Sequence, residues 1–126
     1  MKYSTVFIVD DDIVFHFIIK KLFVRSNLNV QTNYFFNGLE AIEAIKNDNI
    51  IPDLILLDIN MPIYDGWQFL EEFRKIKNDL SKNTDVFLIS SSDDISDINK
   101  AAFYKEEVKR YCNKPLSIIE LQEIFN

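Results

Sequence analysis

The chain has 126 residues, a length that fits one compact domain, residues 1–126, and leaves little room for a second. Hydrophobic residues make up 48% of it, which suffices for a buried core and excludes a disordered chain. Twenty acidic against fourteen basic residues give a formal net charge of −6, and no run of Lys or Arg supplies the basic face that direct nucleic-acid binding needs. The amino-terminal residues have neither a signal-peptide layout nor a membrane-spanning length, so we expect a cytoplasmic protein with no membrane partner.

Short apolar runs alternate with longer amphipathic segments from the start of the chain. Residues 6–9 predict a buried strand, and residues 29–35 predict a second, less apolar strand that suits a sheet edge. A helix is predicted after each strand, at residues 13–25 and 38–46. We assign the buried stripe of the first helix to Val14, Phe17, Ile18, Leu22 and Phe23.

The same alternation continues to the end of the chain. Residues 54–57 form the clearest buried strand, and residues 67–76 predict its helix. Two further units follow, with strands at residues 86–89 and 108–113 and helices at residues 95–105 and from about Ser117. Ser117 and Glu120 match a capping box, which predicts where the last helix begins.

Five strand–helix units indicate an α/β fold, because parallel strands are joined by right-handed helical crossovers. The natural candidate is a flavodoxin-like, doubly wound sheet of five parallel strands in the order 2-1-3-4-5. In that order strands one and three are neighbours at the topological switch point, where ligands bind at the carboxyl ends of the strands. We therefore expect functional residues at that edge.

Polar residues stand at the carboxyl ends of the predicted strands: Asp10, Asp11, Asp12, Asp58, Ser90, Asn113 and Lys114. Acidic residues at neighbouring strand ends repel one another unless a proton or a cation relieves the repulsion. Mg²⁺ suits this set of oxygen ligands because it binds a few carboxylates and keeps sites for water and phosphate oxygens. Together with Lys114 and a serine hydroxyl, these carboxylates predict a phosphoryl-transfer site with a carboxylate nucleophile.

These residues resemble, over almost the whole chain, the receiver domain of two-component response regulators. An acidic pair follows the first strand, and Asp58 opens the acceptor segment Asp-Ile-Asn-Met-Pro, with Gly66 four positions after its proline. The remaining matches are a Ser/Thr position at Ser90, a switch aromatic at Tyr111 and a Lys-Pro pair at Lys114 and Pro115. The resemblance implies that Asp58 is the phosphoacceptor.

The resemblance further implies a Mg²⁺ site, in which Mn²⁺ can substitute. Its ligands would be Asp11, Asp58 and the backbone carbonyl of Asn60, with Asp10 acting through water. Lys114 and Ser90 would contact the phosphoryl oxygens, and Ser90 and Tyr111 would form the switch. The family's tuning positions for phosphoryl lifetime correspond to Asn60 and Ser92.

The implied partners are a histidine kinase or a histidine phosphotransfer protein as donor and an unidentified downstream protein. On this view the chain catalyses only its own phosphorylation and dephosphorylation. An alternative from another class is a haloacid-dehalogenase-like phosphatase, because Asp10 and Asp12 also match its Asp-x-Asp nucleophile motif. That alternative leaves Asp58 unexplained and lacks a later acidic pair for the metal. A flavin-binding module is disfavoured because no Ser/Thr/Gly-rich phosphate loop follows the first strand.

Other conspicuous residues have plainer interpretations. Asp12 either joins the site or, as we favour, caps the first helix or points to solvent. We expect Cys112 to be a buried core thiol, His16 to lie at the surface or against a partner, and residues 105–107 to form a solvated loop. That loop carries charge where the family often has glycine.

Overall fold

Strands and helices alternate along the computed structural model, which describes residues 3–91 and 95–125. The strands are β1 (Thr5–Val9), β2 (Gln31–Phe35), β3 (Leu54–Asp58), β4 (Asp85–Ser90) and β5 (Val108–Asn113). The helices are α1 (Ile13–Arg25), α2 (Gly38–Lys46), α3 (Gly66–Ile76), α4 (Ile95–Phe103) and α5 (Ile118–Phe125), and a 3-10 turn, Lys77–Asp79, follows α3. All five strands are parallel in one sheet of order β2-β1-β3-β4-β5, which confirms the predicted fold class.

Local sequence signals explain several element boundaries. Ser117 Oγ accepts the Glu120 N–H at 3.1 Å, and Glu120 Oε1 accepts the Ser117 N–H at 3.2 Å, so the predicted capping box is present. Helix α4 ends two residues before the prediction, because the Tyr104 and Lys105 N–H groups bond to the carbonyls three residues back and tighten the chain into a turn.

The core lies on both faces of the sheet. One apolar cluster gathers β-strand side chains such as Phe7 and Ile55 against Phe69 and Phe73 of α3. The opposite cluster packs Ile8 and Leu56 with residues of α1 and α5. The middle strands are buried on both faces, whereas β2 is half-buried at the edge, as its less apolar sequence predicted.

Helix α1 packs with a different face from the one that its sequence suggested. Its buried residues are Phe15, His16, Ile19 and Phe23, while Val14, Phe17 and Ile18 are 58%, 59% and 43% exposed. The predicted stripe was therefore wrong for Val14, Phe17 and Ile18, whereas Phe23 is buried as predicted and Leu22 is half-buried against the core. Nine of the thirteen residues of this helix are apolar and they occupy both faces, so the hydrophobic period does not fix which face turns inward.

The expectation of a surface position for His16 was also wrong. Its side chain is 4% exposed and lies against the rings of Tyr34 and Phe36, with ring centres 5.4 and 4.7 Å away. Burial lowers the pKa of His16, although its interactions with Asp10 act in the opposite direction. A neutral imidazole therefore packs here as an aromatic ring.

The loop before β5 is only partly solvated, which corrects the expectation for residues 105–107. Lys105 and Glu106 are exposed, but the side chain of Glu107 is fully buried. Glu107 Oε1 lies 2.8 Å from Arg74 Nη2, and its other oxygen pairs with Lys77 Nζ. Burial alone would raise the pKa of Glu107, but the two cations outweigh it and hold that pKa below its usual range. This cluster ties the end of α3 to the start of β5.

Candidate functional site

Three carboxylates meet at the carboxyl ends of β1 and β3. Asp58 is the last residue of β3 and is 5% exposed, and Asp10 directly follows β1 and is 1% exposed. Asp11 is exposed beside them. Each contributes a carboxylate oxygen to a group in which all the oxygens lie within 4.8 Å of one another. The parallel pairing of β1 and β3, with Val9 opposite Leu57, creates this proximity.

Lys114 brings a positive charge into the same group. Its Nζ is 2.7 Å from Asp10 Oδ2 and 3.8 Å from Asp58 Oδ2. Its backbone N–H donates to the Ser90 carbonyl at 2.8 Å, which fixes the segment after β5 against the end of β4. The Phe15 ring supports the ammonium, with Nζ 4.7 Å from the ring centre. Phe15 is not among the predicted site residues, because α1 has apolar residues on both faces and its sequence does not show which of them turns inward.

Backbone groups hold the two buried carboxylates in place. The Asp12 N–H donates to Asp10 Oδ1 at 2.9 Å, and the Asn60 N–H reaches Asp58 Oδ1 at 3.4 Å. Gly66 N–H donates to the Ile59 carbonyl at 2.9 Å, so the start of α3 lies directly on the acceptor segment. A Cβ at Gly66 would stand 2.7 Å from the Asp58 carbonyl oxygen, which explains the glycine there.

The three carboxylates of the site repel one another electrostatically. Burial and the negative charge of Asp10 raise the pKa of Asp58 from 3.8 to about 7, although Lys114 and the Asn60 N–H act in the opposite direction. A single lysine therefore does not compensate the negative charge of the three carboxylates.

The donor set fits a hard divalent cation. Asp10 Oδ2 is buried, and its partner within the described residues is the Lys114 ammonium, 2.7 Å away. A carboxylate oxygen holds lone pairs for more than one partner, and an all-oxygen group of this kind suits Mg²⁺, which prefers carboxylate, carbonyl and water ligands. The residues present therefore fit the metal that the sequence predicted.

The remaining residues that the sequence singled out have separate positions relative to the three carboxylates. Ser90 is fully buried at the end of β4, one position beyond Ile89, which pairs with Asp58. Tyr111 is half-buried on β5 and packs against the cluster that contains α3. Asp12 caps α1, because its side chain accepts the Val14 N–H at 2.9 Å. Ser92 lies outside the described residues.

The fold and this acidic pocket define a phosphoacceptor signalling domain of the flavodoxin-like architecture. The chain belongs to the response regulator receiver domain family, whose family model matches residues 6–126. It is thus a receiver domain of two-component systems, a class in which phosphorylation of an aspartate and Mg²⁺ binding at an acidic pocket are characteristic.

Individual relatives agree with the family. The chain is 36% identical over 81 residues to the sensor histidine kinase CheAY of Helicobacter pylori, covering 64% of this chain and 10% of that kinase. A two-component response regulator from Cytophaga hutchinsonii superposes with a TM-score of 0.84 at 29% identity, covering 100% of this chain and 96% of that one. The phosphorylated cyanobacterial phytochrome response regulator RcpA superposes with a TM-score of 0.78 at 26% sequence identity, and the match covers 97% of this chain and 88% of that one.

Neither these relatives nor the geometry supports the dehalogenase-like alternative. That mechanism needs Asp12 in the site, whereas its side chain caps α1 and is exposed.

Among the described residues, no helix is both long and apolar enough to cross a membrane.

Proposed function

We propose that residues 1–126 act as one receiver domain in which Asp58 accepts a phosphoryl group. The observation that carries the proposal is the placement of Asp58: a buried carboxylate at a strand end, within 4.8 Å of two other carboxylates and 3.8 Å from the Lys114 ammonium. A structural carboxylate would have a full set of hydrogen bonds, whereas among the described residues Asp58 Oδ1 has one long contact, 3.4 Å from the Asn60 nitrogen.

The chemistry is transfer to a carboxylate oxygen. An unprotonated Asp58 oxygen attacks phosphorus, a P–O bond forms, and the P–N bond to the donor histidine breaks with its electron pair returning to the imidazole. Asp11, Asp58 and the Asn60 carbonyl would hold Mg²⁺, with Asp10 acting through water, and Mn²⁺ can substitute. When bound, the metal supplies positive charge for the phosphoryl oxygens and for the carboxylates.

Lys114 and Ser90 then take the roles of phosphoryl ligands. The Lys114 ammonium lies between Asp10 and Asp58, so a small movement carries it from Asp10 to a phosphoryl oxygen. Ser90 sits at the neighbouring strand end, where its hydroxyl can donate to the same group. Movement of this strand end would change the packing of the half-buried Tyr111 and thereby the surface of α4, β5 and α5.

The proposed donor is a histidine kinase or a histidine phosphotransfer protein, and the proposed reader is another protein. The similarity to the sensor histidine kinase CheAY supports a histidine kinase system as the source of the phosphoryl group. The formal charge of −6 supports a protein reader over direct nucleic-acid binding. The chain would act in the cytoplasm, where such donors are phosphorylated, and would catalyse only its own phosphorylation and dephosphorylation.

Intact mass after incubation with acetyl phosphate and Mg²⁺ tests the proposal. We expect one phosphoryl adduct on the wild-type chain, its loss in Asp58→Asn, and its retention in Asp48→Asn. Asp48 is a matched control because it is exposed and makes no contact with the acidic group. Absence of the wild-type adduct, or its survival in Asp58→Asn, would refute the assignment.

A further inference from the structure

The outward face of α1 and the edge beside β2 form a surface that the phosphoryl site does not use. Its members are Phe17, Lys20, Lys21, Val24, Arg25 and Leu28, which we call the α1–β2 flank. Phe17 is 59% exposed and Val24 is 80% exposed, although both are large apolar side chains. Strand β2 is the sheet edge opposite β5, so this flank lies at the other end of the sheet from the proposed reading surface.

The flank carries shallow, open depressions. Three of them adjoin one another, with volumes of about 320, 340 and 440 Å³, and all three include Val24 in their lining. The largest is lined by Phe17, Val24 and the three cations, and the other two extend toward Leu28 and β2. Their apolar lining offers places where apolar side chains of a partner segment can pack.

The charge of the flank is opposite to that of the rest of the protein. Residues 13–39 contain three basic residues, Lys20, Lys21 and Arg25, and no acidic residue. The whole chain carries −6 and this segment +3, so the remaining residues carry −9. Such a segregation of charge favours an acidic partner at this face and steers it there.

The three cations of the flank have no carboxylate within ion-pair distance in the described part of the chain. Lys20 Nζ lies 4.5 Å from the Tyr34 ring centre, and Lys21 Nζ lies 4.7 Å from that of Phe17. The ammonium groups thus stand directly beside the apolar depressions, where they can meet carboxylates that flank an apolar anchor.

We infer that the α1–β2 flank is a docking surface for an acidic peptide segment of another protein, with apolar side chains inserted beside Phe17, Val24 and Leu28. A second copy fits less well, because two identical flanks facing each other would oppose three cations with three cations. An anionic lipid surface also fits less well, because the net charge of −9 on the rest of the protein repels such a surface. The docked segment would tether the domain at the edge away from its switch.

Binding of a fluorescent synthetic peptide built from glutamate and leucine tests this inference by anisotropy. We expect the wild-type protein to bind it, and Val24→Ser and Lys21→Glu each to weaken binding about tenfold. Both positions are exposed, so the variants should fold normally. The matched controls, Ile119→Ser and Lys46→Glu, change another exposed apolar residue and an exposed lysine outside the flank and should not alter binding.

Further comparisons separate the possible outcomes. Raised salt should weaken binding of the glutamate–leucine peptide, and peptides with lysine for glutamate or serine for leucine should not bind. No binding to the wild-type protein, or equal weakening by the control variants, would overturn the inference. Cosedimentation with phosphatidylserine vesicles in the absence of peptide binding would assign the flank to lipid and also overturn it. Acetyl phosphate labelling of the same variants checks Asp58 separately, so failure of either proposal is distinguishable.

Discussion

Replacing Asp58 with asparagine should stabilise the metal-free protein at neutral pH. Asparagine keeps the size of the side chain and removes a charge that is 5% exposed beside Asp10. The pKa of Asp58 is higher in the folded state than in the unfolded state. Ionisation of Asp58 therefore lowers the free energy of unfolding as pH rises from 3.8 to about 7. The effect therefore appears at and above neutral pH and shrinks toward pH 4.

The expected size follows from that pKa. A rise from 3.8 to about 7 sets an upper bound of about 4 kcal/mol on the unfavourable free energy of ionised Asp58, and screening by solvent lowers it. An amide buried without full hydrogen bonding costs about 1–3 kcal/mol, which offsets part of this gain. We therefore expect Asp58→Asn to raise the free energy of unfolding by about 1–3 kcal/mol above pH 7.

Urea unfolding in EDTA at about pH 8 and about pH 5 measures this difference. Titrating groups remote from Asp58 are common to both proteins, so their contributions cancel when the two are compared. Asp48→Asn serves again as the control and should change stability little at either pH. A destabilised Asp58→Asn at pH 8, or a difference that does not depend on pH, would refute the account of a strained acidic site.

Three further variants probe other parts of the structure. Glu107→Gln should lower the free energy of unfolding by about 1–2 kcal/mol, because Arg74 and Lys77, whose side chains are 34% and 25% exposed, lose a charged partner. Urea unfolding measures the change, and an unchanged stability would contradict the role of this cluster. Gly66→Ala should slow acetyl phosphate labelling about tenfold or more, because the added Cβ would stand 2.7 Å from the Asp58 carbonyl oxygen. An unchanged rate would contradict this expectation and mean that the backbone shifts to accommodate the methyl group. Lys114→Ala should keep Mg²⁺ binding, which calorimetry measures. Phosphorylation of this variant should no longer alter the amide NMR spectrum of α4 and β5, because Lys114 is absent from the phosphoryl site. Normal spectral changes would count against a role of Lys114 in coupling the phosphoryl group to that surface.

Strand order and the site edge were predictable because they depend on features that a sequence displays directly. Apolar runs such as residues 54–57 mark buried parallel strands, and the order of the strands then brings Asp10 and Asp58 to one edge. The capping box at Ser117 was equally readable, because its two hydrogen bonds involve residues three apart.

Features that depend on tertiary contacts were not predictable in the same way. Helix α1 is apolar around most of its circumference, so only packing decides that Phe15 turns inward and Phe17 outward. The burial of Glu107 requires Arg74 and Lys77, which lie about thirty residues earlier in the chain. His16 is buried because Tyr34 and Phe36 provide aromatic neighbours, and no local pattern announces that arrangement.

The most direct test of the central claim is the position of the phosphoryl group. Sodium borohydride reduces an aspartyl phosphate to homoserine, which peptide mass spectrometry locates in the sequence. After labelling with acetyl phosphate and Mg²⁺, we predict homoserine at position 58 and none at positions 10, 11 or 12. Homoserine at any of those three positions, with an unmodified Asp58, would contradict the account.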